Sequence, residues 1–304
     1  MITIYGRMRT VFTLSMLMAI AVSFAQLPGS PDNEYKKEID LWHQNRIESL
    51  KSESGWLNIV GLYWLKEGEN TFGSSKENDV IFPEKKANAK LGSFFLKEGV
   101  VTLKTLPGNN IQSNNQPFDE GVIYSDKQEK PIVLAHDKLK WFIIKRGNKY
   151  GVRLRDMESV SLKQFTHIDR FPTDKKWRVI ATYKAPPEPS SVIINDIIGL
   201  ATATPFGGTL HFEIDGKHFQ LDATLEDDDL FIVFADETTG NETYGGGRFL
   251  YAKKPLPGNT VVVDFNKAYN PPCCFTNFAT CPLPMAQNRL DIAILAGEKT
   301  YEHH

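Results

Sequence analysis

The sequence predicts a mainly β protein with one amphipathic helix near its start. Three observations carry this. Short runs of β-branched and aromatic residues recur along most of the chain, Gly, Asn, Asp and Pro punctuate them, and a single stretch has helical spacing. A hydrophobic fraction of 41% with 19 Phe, 10 Tyr and 5 Trp is enough for a packed core.

The first 25 residues read as a cleavable signal peptide. Arg7 and Arg9 precede an apolar run from Val11 to Ala21, and Ser23-Phe24-Ala25 supplies small residues at the two positions a signal peptidase reads. That run is shorter than the ~20 residues of a membrane-spanning helix. The mature chain is therefore expected to begin at Gln26 as an exported, periplasmic or extracellular protein, with no stable membrane anchor once cleaved. A net charge of −2 with scattered basic residues argues against nucleic acid as a partner, because a phosphate backbone needs a basic face.

Ser30-Pro31 marks a helix start, with Ser as cap and Pro in the first turn. Tyr35, Ile39, Trp42 and Leu50 then follow at near-helical spacing, which predicts a helix over 31–51. Strands are expected at 100–103, 132–134, 141–144, 177–183, 192–198 and 230–234, each β-branched or aromatic and bounded by turn residues. The run from Lys184 through Pro186, Pro187 and Pro189 is either a linker or a rigid surface loop. The mature chain divides for argument at 26–165 and 166–304, and one continuous unit is equally compatible with it.

One hairpin follows in register. Asp215-Gly216 is a strong two-residue turn signal, so Ile214 should pair with Lys217, Glu213 with His218, Phe212 with Phe219 and His211 with Gln220. Alternation then places Phe212, Ile214, Phe219 and Leu221 on one face. His211, Glu213, His218 and Gln220 share the other, which is either a solvent face or a partial metal set; no metal is assigned.

The familiar catalytic signatures are missing: no G-x-S-x-G, S-x-x-K, H-E-x-x-H, phosphate-binding glycine loop or C-x-x-C. No cofactor is expected. Gly245-Gly246-Gly247 reads as a turn or bulge, and Asp227-Asp228-Asp229 as a solvated turn. Polar, glycine-rich and proline-rich residues concentrate at 236–249 and 264–298, a composition costly to order for packing alone. They form either a ligand site or a long connection closing the fold.

At these residues the chain resembles the bacterial family known as domain of unknown function 1684. The likeness runs from Ser54-Gly55-Trp56-Leu57 and Gly61-Leu62-Tyr63-Trp64-Leu65, through Thr243-Tyr244-Gly245 and Gly247-Arg248-Phe249-Leu250, to the 264–270 stretch, the cysteine segment and Ala296-Gly297-Glu298. It implies no reaction, substrate or cofactor. Cys273 and Cys281 match the family pattern, and Cys274 stands where a small residue is expected. A second likeness, at residues 73–83, is to the opening of a forkhead-associated sandwich. Ser74 stands where such domains carry a phosphate-binding arginine, so it implies the sandwich and not phosphopeptide binding.

Three cysteines allow three pairings. Adjacent Cys273 and Cys274 bond only under strain, and the family resemblance implies that Cys274 is the odd thiol, so Cys273–Cys281 is the expected disulfide in an oxidising compartment, closing a nine-residue loop for about 2.5 kcal/mol. The alternative is a nucleophilic thiol. It needs a base, and the nearest histidines in sequence are His218, His303 and His304.

Two functions are carried forward. One is a hydrolase on a small polar molecule or glycan fragment, with Asp264 or Glu298 as general base and Arg248 as the cation of the site. The other is a non-catalytic small-molecule or carbohydrate binding module. In this second reading Tyr244 and Tyr269 stack on the ligand, and Asn266, Asn270 and Asn288 complete the candidate ligand-binding set.

Overall fold

The computed structural model describes residues 31–187, 190–255 and 258–301. The expected signal peptide, the Ser30 cap, residues 188 and 189 of the proline-rich run, and His303 and His304 lie outside the described residues.

Helix α1 spans Pro31–Lys51, as its spacing predicts, with Asp32 and Glu34 in the first turn and Lys51 in the last, each suiting the helix dipole. Tyr35, Ile39 and Leu50 form its buried stripe.

Two sheets then face each other. Strands β1 (Ile59–Trp64), β2 (Gly68–Gly73), β3 (Val80–Ile81), β4 (Gly92–Lys97), β5 (Val100–Thr105), β6 (Gln112–Ser113), β7 (Gln116–Pro117), β8 (Glu120–Tyr124), β9 (Leu134–His136), β10 (Leu139–Arg146) and β11 (Lys149–Asp156) follow in chain order. One sheet runs β1-β11-β10-β9-β6-β7 and the other β3-β2-β4-β5-β8. Between them Phe72 lies 4.4 Å from Phe94, and Phe82 meets Trp141 edge-on at 5.2 Å. Fully burying a Phe ring contributes about 1.5–3 kcal/mol. The expected strand at 132–134 forms only from Leu134 onward; Leu134 is fully buried, whereas Ile132 packs half-buried against the core and Val133 is exposed.

A short helix α2 (Val160–Gln164), capped by Ser159 Oγ, leads into the second unit. Its strands are β12 (Arg178–Lys184), β13 (Ser191–Asn195), β14 (Ala201–Ile214), β15 (Lys217–Glu226), β16 (Asp229–Phe234), β17 (Arg248–Lys253) and β18 (Thr260–Asp264). They order as β17-β16-β15-β14-β12-β18, with β13 added to β14. The sheet curls until β17 touches β18, enclosing Leu210, Leu221, Ile232, Phe234, Leu250, Val263 and Phe265 in a barrel-like core. The β14–β15 hairpin has the predicted register, pair by pair. Asp215 and Gly216 both have positive φ, 50° and 77°, as a type I′ turn requires. Phe212, Ile214, Phe219 and Leu221 are buried, whereas His211, Glu213, His218 and Gln220 are exposed.

Two further boundaries depart from the sequence reading. Trp177 closes a short 3₁₀ turn, Lys175–Trp177, capped by Asp174, so β12 starts one residue later. The strand expected to reach Ile198 stops at Asn195, because Asp196 Oδ1 accepts from the Ile198 and Leu200 amides and turns the chain.

Helix α1 is tied to the second unit, not to the sandwich that follows it in sequence. Tyr35 Oη donates to Asp264 Oδ1 at 2.9 Å, Lys267 pairs with Glu38, and Arg46 pairs with Glu298.

Candidate functional site

The outer face of the curled sheet floors a cleft of about 620 Å³. Strand alternation makes this floor. Along β16 and β17, Leu230, Ile232, Phe234 and Leu250 point into the core, leaving Phe231, Val233, Phe249 and Tyr251 on the other side, with Thr224 of β15 opposite Phe231. Tyr269 extends this floor, since it exchanges two backbone hydrogen bonds with Phe249 at 2.9 Å each. Its ring stacks on Tyr251 at 6.3 Å with a 12° interplanar angle, and the Phe231 and Phe249 rings meet edge-on at 4.9 Å.

The walls come from separate stretches. The β13–β14 arm gives Ile194, Thr202 and Thr204, and it is bonded to the chain opposite: Ile197 N to Cys281 O at 2.9 Å and Leu283 N to Asn195 O at 2.8 Å. Arg146 at the end of β10 closes another side, donating from Nε to Thr280 Oγ1 at 3.0 Å. Trp56 and Arg46 complete the wall, with the Arg46 guanidinium 4.7 Å above the Tyr269 ring. Burial pushes the Tyr269 hydroxyl pKa up, with Arg46 opposing, and the Tyr251 phenol is pushed up by burial and by donating to Glu226 Oε2 at 2.5 Å.

Of the residues singled out from sequence, Tyr269 and Cys281 line the cleft. Arg248 is fully buried beneath it, donating to the carbonyls of Ala296 and Ile294 and to Asp236 Oδ1 at 3.2 Å. Burial drives its pKa down, and Asp236 opposes that. Asp264 accepts from the Tyr35 hydroxyl and from the Asn266 amide N–H at 3.1 Å, while Asn266 Nδ2 reaches Tyr35 Oη and Asp174 O. Asn288 acts as an extra strand edge, taking the Asp222 N–H and giving Nδ2 to Asp222 O and Val233 O. Glu298, 1% exposed, accepts from Asn270 N at 2.7 Å and sits 3.4 Å from Arg46 Nε. Burial raises its pKa more than Arg46 lowers it. Asn270 Nδ2 holds Lys299 O at 2.6 Å. These groups bond to one another and to backbone, so they order the C-terminal segment around the cleft.

Tyr244 lies in an adjoining apolar cluster with its hydroxyl on Cys273 O at 3.2 Å. All three cysteines are free thiols, so the expected bridge is not made in this structure. Cys273 and Cys281 are nonetheless partners: the Cys273 N–H reaches Cys281 Sγ at 3.1 Å, and the thiols share a hydrogen bond that lowers the pKa of Cys273 and raises that of Cys281. Burial pushes Cys274 up to about 12.

Sequence reading missed Trp56, Arg46, Arg146, Phe231 and Tyr251 as cleft residues. One signal was present: β11 alternates Val152-Arg153-Leu154-Arg155, which places two arginines on the face away from the sandwich core.

The family model described as protein of unknown function (DUF1684) matches residues 163–299. The solution structure of an uncharacterized protein from gene locus rrnAC0354 of Haloarcula marismortui is 32% identical, covering 47% of this chain and 80% of that one, with a TM-score of 0.40. A phosphothreonine-dependent FHA domain is 18% identical over 31% of this chain and 92% of its own, with a TM-score of 0.22, too slight a likeness to carry an argument. No curated protein matches the chain. On the family match, the chain belongs to the DUF1684 family.

Proposed function

We propose that the protein binds a small molecule in the cleft between its curled sheet and its sandwich, as a binding module acting after export. The observation that carries this is the cleft floor: four aromatic rings, Phe231, Phe249, Tyr251 and Tyr269, share one wall of a 620 Å³ concavity whose rim carries charged and hydroxyl groups. Flat apolar rings with polar atoms at their edges suit a sugar or another ring-bearing ligand. The binder is favoured over the hydrolase because Asp264 and Glu298 are engaged in the buried network and do not line the cleft. In an oxidising compartment the neighbouring Cys273 and Cys281 thiols are proposed to close into a disulfide beside the cleft wall.

Native mass spectrometry of the mature protein from its own host tests the reading, with Tyr269→Ala and the cleft-filling Thr204→Trp alongside. A retained or added small molecule on wild type, absent from both variants, is expected. A ligand that binds all three equally overturns the assignment to this cleft.

A further inference from the structure

The chemistry of the ligand is narrowed by one arginine. Along β11, Val152 and Leu154 enter the sandwich core, so Arg153 and Arg155 project from the opposite face. Arg155 is satisfied there, since its Nη1 reaches the carbonyls of Glu53 and Gly55 and Asn58 Oδ1. Arg153 is not. It is 4% exposed, its Nε and Nη2 are buried without a hydrogen-bond partner, and it forms no ion pair among the described residues.

What surrounds Arg153 is positive or neutral. Its guanidinium lies 5.2 Å over the Trp56 ring, and burial above all, with the charges of Arg146 and Arg155 adding to it, pushes its pKa down to about 10. That still leaves it protonated at neutral pH. A buried cation with no counter-ion is among the most costly arrangements a fold retains, and each such group calls for an explanation.

The cleft supplies one. Trp56, Arg146 and Cys281, the groups next to Arg153, all line it. Arg146 has no carboxylate partner among the described residues; its bonds go to Thr280 Oγ1 and Lys145 O. The two carboxylates of the lining do not pair with these arginines: Glu226 accepts from Tyr251 Oη, and Asp196 from its own turn amides. Arg46 is matched by Glu298. Neither Arg146 nor Arg153 therefore has a carboxylate partner among the described residues.

We propose that the cleft takes a ligand with an anionic group, a carboxylate or phosphate, held at the end lined by Trp56 and Arg146, where the buried Arg153 lies against the Trp56 ring, with the ligand's apolar or ring-shaped body over Tyr251 and Tyr269. The proposal rests on the binding reading of the same cleft. Guanidinium groups match both anions by paired N–H donors, and a desolvated site strengthens the attraction.

Calorimetric titration of the full mature chain with benzoate, phenyl phosphate, inorganic phosphate and neutral benzyl alcohol tests it, with Trp56 fluorescence as a second readout. An aromatic anion is expected to bind at least about tenfold more tightly than benzyl alcohol. Arg146→Gln should weaken the anion by about thirtyfold and leave the alcohol unchanged, as loss of one partner of a desolvated charged contact does. Arg153→Met should remove the same preference while raising the melting temperature of the free protein, because it relieves an unmatched buried charge; a purely structural arginine would do the reverse. The tighter of benzoate and phenyl phosphate identifies the anion. Equal affinity for anion and alcohol, or a preference that survives both variants, overturns the charge inference and leaves the cleft intact as a binding site. No binding of any of the four overturns the cleft reading and this one with it. Should Arg153→Met not fold, Arg146→Gln alone decides.

Discussion

Arg248→Met isolates what the polar C-terminal segment does. The arginine is fully buried, and its donors hold Ala296 O, Ile294 O and Asp236 Oδ1, so removing it strands a carboxylate and two carbonyls. Breaking a buried ion pair by deleting one partner costs about 3–5 kcal/mol. Asp236 keeps the Thr238 hydroxyl and the Ile294 amide, which stabilise its charge and place the expected loss near the lower end, about 3 kcal/mol. Urea unfolding followed by circular dichroism and tryptophan fluorescence gives the loss as a shift in midpoint at constant slope. A cycle with Asp236→Leu should show coupling of at least about 1 kcal/mol. A loss below about 1 kcal/mol, with probe binding in the cleft abolished, would refute the clamp and return Arg248 to the ligand-binding role its sequence setting suggested.

Three further outcomes are expected. Air-oxidised mature protein should give one free thiol by Ellman titration under denaturation, with mass mapping to Cys273–Cys281; three free thiols would show that the neighbouring pair does not close. Gly297→Ala should destabilise by about 2 kcal/mol or more in the same urea assay, since Gly297 has φ +77° and an added Cβ would lie 2.4 Å from Ala268 O; an unchanged midpoint would show that the segment shifts freely. The Glu298 pKa is raised on folding, so its protonated form favours the fold: its contribution is full below the ordinary carboxylate range and is lost as pH rises through the raised value. Glu298→Gln should therefore retain relatively more stability than wild type at the upper end of that window, and parallel pH profiles for the two proteins would remove the burial argument.

Local rules reached the elements whose energetics are local. The β14–β15 hairpin was legible to the residue pair because a two-residue turn fixes register and alternation fixes the faces. Helix α1 was legible from Tyr35, Ile39 and Leu50, but its partner was not: nothing near residue 35 announces Asp264, which lies 229 residues away. The C-terminal polar residues stood out correctly as costly to order. Their role was not readable, because a buried Asn, Glu or Arg that bonds to backbone has the same composition as one that bonds to a ligand. The cleft itself escaped, since Trp56, Arg146, Phe231, Tyr251 and Tyr269 come from different elements and share no spacing.

The buried network and the cleft are joined at Arg46. This side chain donates to Asn270 O at 2.9 Å, pairs with Glu298, and lies over Tyr269, which lines the cleft. Glu298 in turn holds the Asn270 amide, and Asn270 precedes the two prolines that start the cysteine segment. Each member constrains the next, so Tyr269 is held through Arg46 by Glu298 and Asn270, neither of which lines the cleft. Asn270→Ala should consequently weaken probe binding without contacting the probe, in proportion to the stability it removes. Arg146→Gln, at the half-buried end of β10, should weaken anion binding with little change in stability. That contrast separates residues that build the cleft from those that face its contents.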